Sequence, residues 1–247
     1  MNSYIFSRNE NAMWTCIFIM CLITKYMNPN FLQLLIFWLL IIIVNGNAKR
    51  VYSNKYIKLS FAIRRSLYVI PLFLPLAIFK VDIIASRLFT DIFIGIIIGL
   101  IFLSPKVNEW KLLLNNEFIA LSSKRHKISY FSETLMLLLG AIGEEIFFRA
   151  YIIGQINNGN GLLAITTSTC LFFLHHFGLK WGNEFTFYDY IIEISFGLVS
   201  SLIYLYTGSI IITVFMHIIY NTPHVLISVK EYKFHYIRTK GDIKWKK

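Results

Sequence analysis

The sequence predicts an all-α, multi-pass integral membrane helical bundle with about eight transmembrane helices, and three observations carry that prediction. Of its 247 residues, 56% are hydrophobic and 15% charged, with a mean hydropathy of +0.60; a soluble domain is usually about 25% charged. Apolar runs recur along the whole chain at lengths suited to helices that cross and recross a bilayer. Basic residues gather between alternate runs instead of being spread evenly.

The runs fall at about 11–27, 31–46, 66–80, 88–104, 132–153, 160–178, 187–206 and 208–228. In the first, the stretch 13–23 has no clean basic start and no A-x-A-like cleavage site, so it reads as a retained helix rather than a removed signal peptide. Several runs are shorter than the ~20 residues a spanning helix prefers. In the fourth, Gly95 and Gly99 form a G-x-x-x-G pair that would let another helix pack closely. Chance in a glycine-tolerant membrane helix explains the pair equally well, and the same two readings hold for Gly197 and Ser201. The stretch 105–130 looks most soluble, and its Trp110-Lys-Leu-Leu-Leu pattern suits a segment lying along the membrane surface. No internal repeat or low-complexity linker interrupts the chain, which reads as one membrane domain.

Charge supports this order of spans. Twenty of the 24 Lys and Arg lie in the N-terminal tail and at 47–65, 105–130, 179–186 and 229–247. The opposite loops hold Lys25, Lys80 and Arg87, and the remaining one is Arg149. Under the positive-inside rule, both termini are expected in the cytoplasm, with the protein in the cell membrane. A net charge of +11 could suggest nucleic acid, but basic residues divided among hydrophobic segments fit anionic lipid, and no nucleic-acid partner is expected. Cys16, Cys21 and Cys170 all lie in apolar stretches without metal or redox spacing, so a disulfide framework is not expected.

Three groups of polar residues sit where lipid should be. The first is Glu144, Glu145 and Arg149 in Gly-Glu-Glu-Ile-Phe-Phe-Arg. Each ionisable side chain costs roughly 2.5–3.5 kcal/mol at the centre of a membrane helix, so all three must be paired, aimed at a cavity or used. Glu145 and Arg149 are four apart and within ion-pair reach on one face, whereas Glu144 points about 100° away. A glutamate in an apolar surround near a cation can be tuned toward general-base work, and a plain Arg–Glu clamp between helices is the alternative. The second group is Cys-Leu-Phe-Phe-Leu-His-His-Phe-Gly, where Phe172 and His176 share a face and His175 does not. In the third, Phe-Met-His-Ile-Ile-Tyr-Asn, His217 and Asn221 point the same way and could bind an oxyanion or make an interhelical hydrogen bond.

Other intramembrane chemistries lack their motifs. The chain has no H-E-x-x-H for a zinc protease, no G-x-S-x-G serine elbow and no Gly-x-Gly-Asp. Glutamate, histidine and asparagine remain.

Glu-Glu-x-x-x-Arg, then Phe-x-x-x-His, then His-x-x-x-Asn, in that order, resembles the CPBP family of intramembrane glutamic endopeptidases. That family contains the type II CAAX prenyl proteases and the bacterial Abi proteins linked to bacteriocin processing and self-immunity. The run Tyr-Leu-Tyr-Thr-Gly-Ser-Ile before His217 resembles the family's lead-in to its third motif. The match covers about 131–225, so the resemblance divides the chain into variable N-terminal helices at 1–130, a catalytic core at 131–228 and a basic cytoplasmic tail at 229–247. It implies that Glu144 and His176 activate the attacking water, that His217 and Asn221 hold the oxyanion, and that Glu145 and Arg149 support the site. Phe172 is the support for His176. One departure is Ala150, where the family usually has Gly after the arginine.

The resemblance implies hydrolysis of a peptide bond in a membrane-associated peptide or protein, with the bilayer as the other partner and with no metal or cofactor. Two rivals remain: a non-catalytic immunity or scaffold protein of the same fold, and a metal-dependent membrane protease. Carboxylate and imidazole suit transition metals, but His217 with Asn221 makes a poor ligand pair. A geometric difficulty also stands. If the fifth and sixth runs turn near 153–160, Glu144 lies about eight residues from the turn and His176 about sixteen. That is a depth mismatch of about 12 Å, to be closed by tilt, a broken helix or a helix extending beyond the bilayer.

Overall fold

A computed structural model describes Thr15 and residues 29–48, 50–51, 55–80, 87–156, 160–179 and 187–237. The apolar run at 11–27 apart from Thr15, including Cys16 and Cys21, and residues 180–186 and 238–247 lie outside them. The described residues contain helices and no strands. Helix α1 is Pro29–Ala48 and α2 is Ile57–Val69. The chain then tightens into a 3₁₀ segment, Ile70–Ala77, which holds Pro71 and Pro75; neither proline can donate the N–H that an α-helix would require. Helix α3, Leu88–Leu103, ends at a short 3₁₀ turn containing Pro105. Two short helices follow, α4 (Val107–Leu113) and α5 (Asn116–Ala120), the latter capped by the Asn115 side chain accepting from the Glu117 N–H.

Helix α6, Lys127–Glu145, continues as a π-helix over Ile146–Ile153 and a last α turn, Gly154–Ile156. Helices α7 (Gly161–Leu179), α8 (Phe187–Thr207) and α9 (Ile210–Tyr236) complete the bundle. Gly208, with φ of 67°, closes α8 in the left-handed region where glycine is free of strain, and its N–H donates to the Tyr204 carbonyl at 2.9 Å.

Among the described residues, five stretches are long and apolar enough to cross a membrane: Phe31–Ala48, Ile57–Ala77, Leu88–Leu113, Phe187–Thr207 and Ile210–Tyr236. Gly161–His176 is a shorter apolar helix. Helix α6 with its continuation is long enough, but it carries Glu144, Glu145 and Arg149 in its apolar half. The chain is an all-α membrane helical bundle.

Helices α2 and α6 run side by side in the same direction. Arg65 Nη1 lies 3.3 Å from Met136 Sδ, and a Cβ added at Gly143 would lie 3.0 Å from both Leu72 Cβ and the Phe73 ring. The 3₁₀ segment thus packs directly on the residue before Glu144. Helix α9 runs antiparallel to α6, joined by His217–Glu145, Asn221–Leu137, Ser228–Glu133 and Tyr236–Arg125 contacts. On its other side α9 meets Gly95 and Gly99 of α3. A Cβ at Gly95 would meet the Ile212 carbonyl at 2.5 Å, and one at Gly99 would meet Ile219 Cβ at 2.7 Å, so here the G-x-x-x-G pair is a helix contact. Helix α1 buries Leu34, Leu35, Trp38 and Ile41, and the Trp38 indole donates to the Leu171 carbonyl at 3.1 Å.

One end of the bundle gathers Lys124, Arg125 and Lys127 with the C-terminal part of α9. The stretch 107–120 is not simply laid on the membrane surface: the Trp110 ring packs edge-on to His224 at 4.8 Å, and Lys230 Nζ donates to the Leu114 carbonyl at 2.8 Å. At the other end Ser209 donates to Asp91 at 2.6 Å. The expected depth mismatch shrinks because the helix carrying Glu144 runs on through Ile156, while α7 begins at Gly161. Glu144 is then twelve residues from its turn and His176 fifteen, a difference of about 4–5 Å that side chains can span.

Candidate active site

Adjacent positions on α6 send the two glutamates to different partners. Glu145 and Arg149 are fully buried, 0% exposed at each side chain, with Arg149 Nε 3.2 Å from Glu145 Oε2. That contact is an ion pair without the alignment of a good hydrogen bond, since Glu145 Oε2 has no hydrogen-bond partner among the described residues. Arg149 sits in the π-helix, a geometry that recurs at functional sites. Its Nε also donates to Ser200 Oγ at 3.0 Å, Nη2 donates to the same oxygen, and the Ser200 hydroxyl in turn donates a hydrogen bond to the Phe196 carbonyl at 2.7 Å. The guanidinium carbon stands 4.4 Å from the centre of the Phe172 ring.

The other oxygen of Glu145, Oε1, lies 2.8 Å from His217 Nδ1. An ionised carboxylate only accepts, so the bond requires the proton on Nδ1 and turns Nε2 outward. That Nε2 lies 3.9 Å from Glu144 Oε2, and His176 Nε2 approaches the same oxygen at 3.3 Å. Three polar atoms from α6, α7 and α9 thus converge, and among the described residues Glu144 Oε2 makes no formal hydrogen bond. His176 Nδ1 is 3.1 Å from the Phe172 carbonyl, which also only accepts. The Phe172 ring packs 4.4 Å from the His176 ring, so this phenylalanine touches both the histidine and Arg149.

Of the residues singled out in the sequence, Glu144, His176 and His217 come together, and Glu145 and Arg149 pair behind them. Asn221 does not face this cluster: its Nδ2 donates to the Leu137 carbonyl at 3.4 Å, two turns of α6 away from Glu144. His175 is buried against Phe148, with ring centres 5.5 Å apart. Two contributors were not anticipated. Ser200 anchors Arg149, and Glu193 of α8 has its Oε2 3.9 Å from His176 Nδ1. The only sequence signal for Glu193 is an acid in an otherwise apolar run. Among the described residues, no group of three or more His, Cys, Asp or Glu is arranged to hold a metal ion.

The arrangement can shuttle a proton between a carboxylate and an imidazole in a site largely closed to water, beside a second imidazole backed by its own carboxylate. No curated protein and no solved structure matches the chain. Residues 129–223 match the family model of the type II CAAX prenyl endopeptidase Rce1-like proteins. That stretch contains Glu144, Glu145, Arg149, Phe172, His176, His217 and Asn221, so the match falls on the motif residues and supports the likeness of this part of the chain to the CPBP/CAAX protease family.

Proposed function

We propose that this protein is an intramembrane endopeptidase that cleaves a peptide bond of a membrane-associated peptide or protein by attack of water, without a covalent acyl-enzyme. The observation that carries the reading is the approach of Glu144 Oε2 to His176 Nε2, at 3.3 Å, with His217 Nε2 3.9 Å from the same oxygen. Water held between Glu144 and His176 gives up a proton to the pair as its oxygen attacks the scissile carbonyl carbon. The same proton then goes to the leaving amine. His217 donates from Nε2 to the oxyanion when it holds both protons, and Glu145 on Nδ1 compensates that charge. Asn221 joins the oxyanion site by turning its amide away from Leu137, a contact already at the long limit for a hydrogen bond.

The grouping of Lys124, Arg125 and Lys127 with the end of α9 supports a cytoplasmic placement of that end in the cell membrane. The protein reconstituted in liposomes should cleave a membrane-associated peptide, and Glu144→Ala or His176→Ala should abolish cleavage. Full activity in either variant overturns the mechanism. An immunity or scaffold role predicts instead that biological protection survives Glu144→Ala.

A further inference from the structure

Glu193 is an acidic group beside this cluster that the reaction above leaves unused. It sits in Tyr-Ile-Ile-Glu-Ile-Ser-Phe of α8, buried, in a setting where an ionised side chain costs roughly 2.5–3.5 kcal/mol. Its position follows from how α7 and α8 pack. Ser201 Oγ donates to Ser168 Oγ at 3.0 Å. One turn further, Gly197 lies against Phe172, where an added Cβ would stand 3.1 Å from the ring. After one more turn, the same two faces bring Glu193 to His176, with Oε2 3.9 Å from Nδ1. Positions 168, 172 and 176 therefore meet 201, 197 and 193 in four-residue steps of an antiparallel pair. The small residues that let the helices approach also decide which side chain of α8 faces the histidine.

His176 is thus met on both nitrogens. Glu144 faces Nε2 at 3.3 Å, while the Phe172 carbonyl at 3.1 Å and the Glu193 carboxylate face Nδ1. Both groups on the Nδ1 side are acceptors, so they act together to keep a proton there and leave Nε2 for exchange with Glu144 or water.

We propose that Glu193 is a positioning residue for His176, holding the ring in its Nδ1-protonated form with Nε2 aimed at Glu144. Its consequence for turnover rests on Glu144 and His176 being the water-activating pair. Its effect on the ring does not. Leucine at 193 suits an apolar helix but offers no acceptor, whereas glutamine keeps an acceptor oxygen, so the two variants separate positioning from packing.

The test labels histidine nitrogens with ¹⁵N in the full chain in liposomes and assigns His176 by the signals lost in His176→Gln. Wild type should show His176 protonated at Nδ1. Glu193→Leu should move population to the Nε2-protonated form and lower kcat on a membrane-associated peptide about tenfold to hundredfold, part of the 10²–10⁴ that a general base contributes. KM should stay within about twofold, and Glu193→Gln should fall between Leu and wild type. Unchanged His176 signals in both variants, or a kcat for Leu equal to or above that for Gln, overturns the proposal. A wild type that cleaves nothing sinks the protease reading, and the nitrogen signals still decide the role of Glu193.

Discussion

Charge joins α6 to α9 at two places, and the two junctions differ in what surrounds them. Near the start of α6, Arg125 reaches Glu133 at 2.7 Å and Glu231 at 2.5 Å, and Ser228 donates to Glu133 at 3.0 Å. These side chains are 34%, 26% and 13% exposed for Arg125, Glu133 and Glu231. Partial burial lowers the pKa of Arg125, but the Glu231 hydrogen bond and the charge and hydrogen bond of Glu133 more than offset it. The guanidinium is held above its ordinary value and stays charged at any accessible pH. Deeper in, Glu145, Arg149 and His217 join the same helices with no exposure at Glu145 or Arg149. A half-wet pair contributes about 0–1 kcal/mol, whereas a buried pair barely recovers its desolvation and is costly to break. The outer junction is a staple. The inner one adds little net stability, so its place in the fold is better explained by what it holds in position, His217 above all.

Removing Arg149 should have the largest effect. Arg149→Ala strands Glu145 in a dry site, a loss of about 3–5 kcal/mol, and both folded yield and peptide cleavage should collapse. Combining Glu145→Gln with Arg149→Gln should recover yield better than the arginine change alone; a double variant no better than Arg149→Ala breaks the account of the inner junction. Within the same cluster, Glu144→Gln should lose at least about 10²-fold in kcat with yield near wild type, because the groups closest to Glu144 are imidazoles and its loss breaks no guanidinium pair. A yield that falls in Glu144→Gln but holds in Arg149→Ala would mean that the two glutamates carry each other's roles. At the outer junction, Arg125→Ala should cost no more than about 1 kcal/mol by thermal unfolding, and the difference from wild type should shrink in 1 M salt. A loss there as large as that of Arg149→Ala removes the contrast. Smallest of all, Tyr236→Phe deletes the 2.6 Å bond to the Arg125 carbonyl and should cost about 0.5–1.5 kcal/mol.

Spacing within a single helix was readable from the chain, and contacts that depend on register between helices were not. The four-residue step from Glu145 to Arg149, and that from Phe172 to His176, each became a close contact. Glu193 escaped notice because its meaning depends on the pairing of α7 with α8, which no local pattern encodes. Asn221 follows the same rule in reverse: it shares a helical face with His217, yet the antiparallel run of α6 offers it Leu137 instead of Glu144. The apolar run stops at 153, yet Gly154–Ile156 is still helical, so the turn sits later than the run suggests. The π-helix at Ile146–Ile153 has no periodicity to announce it. Of the eight expected spans, five pass on length and apolarity, because α6 is too charged, α7 is short and the first lies outside the described residues.

The order of synthesis gives the paired residues of α6 a role before the bundle exists. This helix leaves the ribosome with three ionisable groups and must enter lipid while its later partners are still unmade. Arg149 can neutralise Glu145 at once, since both lie on the same helix. Glu144 must wait 32 residues for His176, and Glu145 waits 72 for His217. At about 5–20 residues per second, the first delay is a few seconds. Entry as a hairpin of α6 with α7, in place of one helix at a time, would bring Glu144 into the bilayer together with the imidazole it faces in the finished bundle.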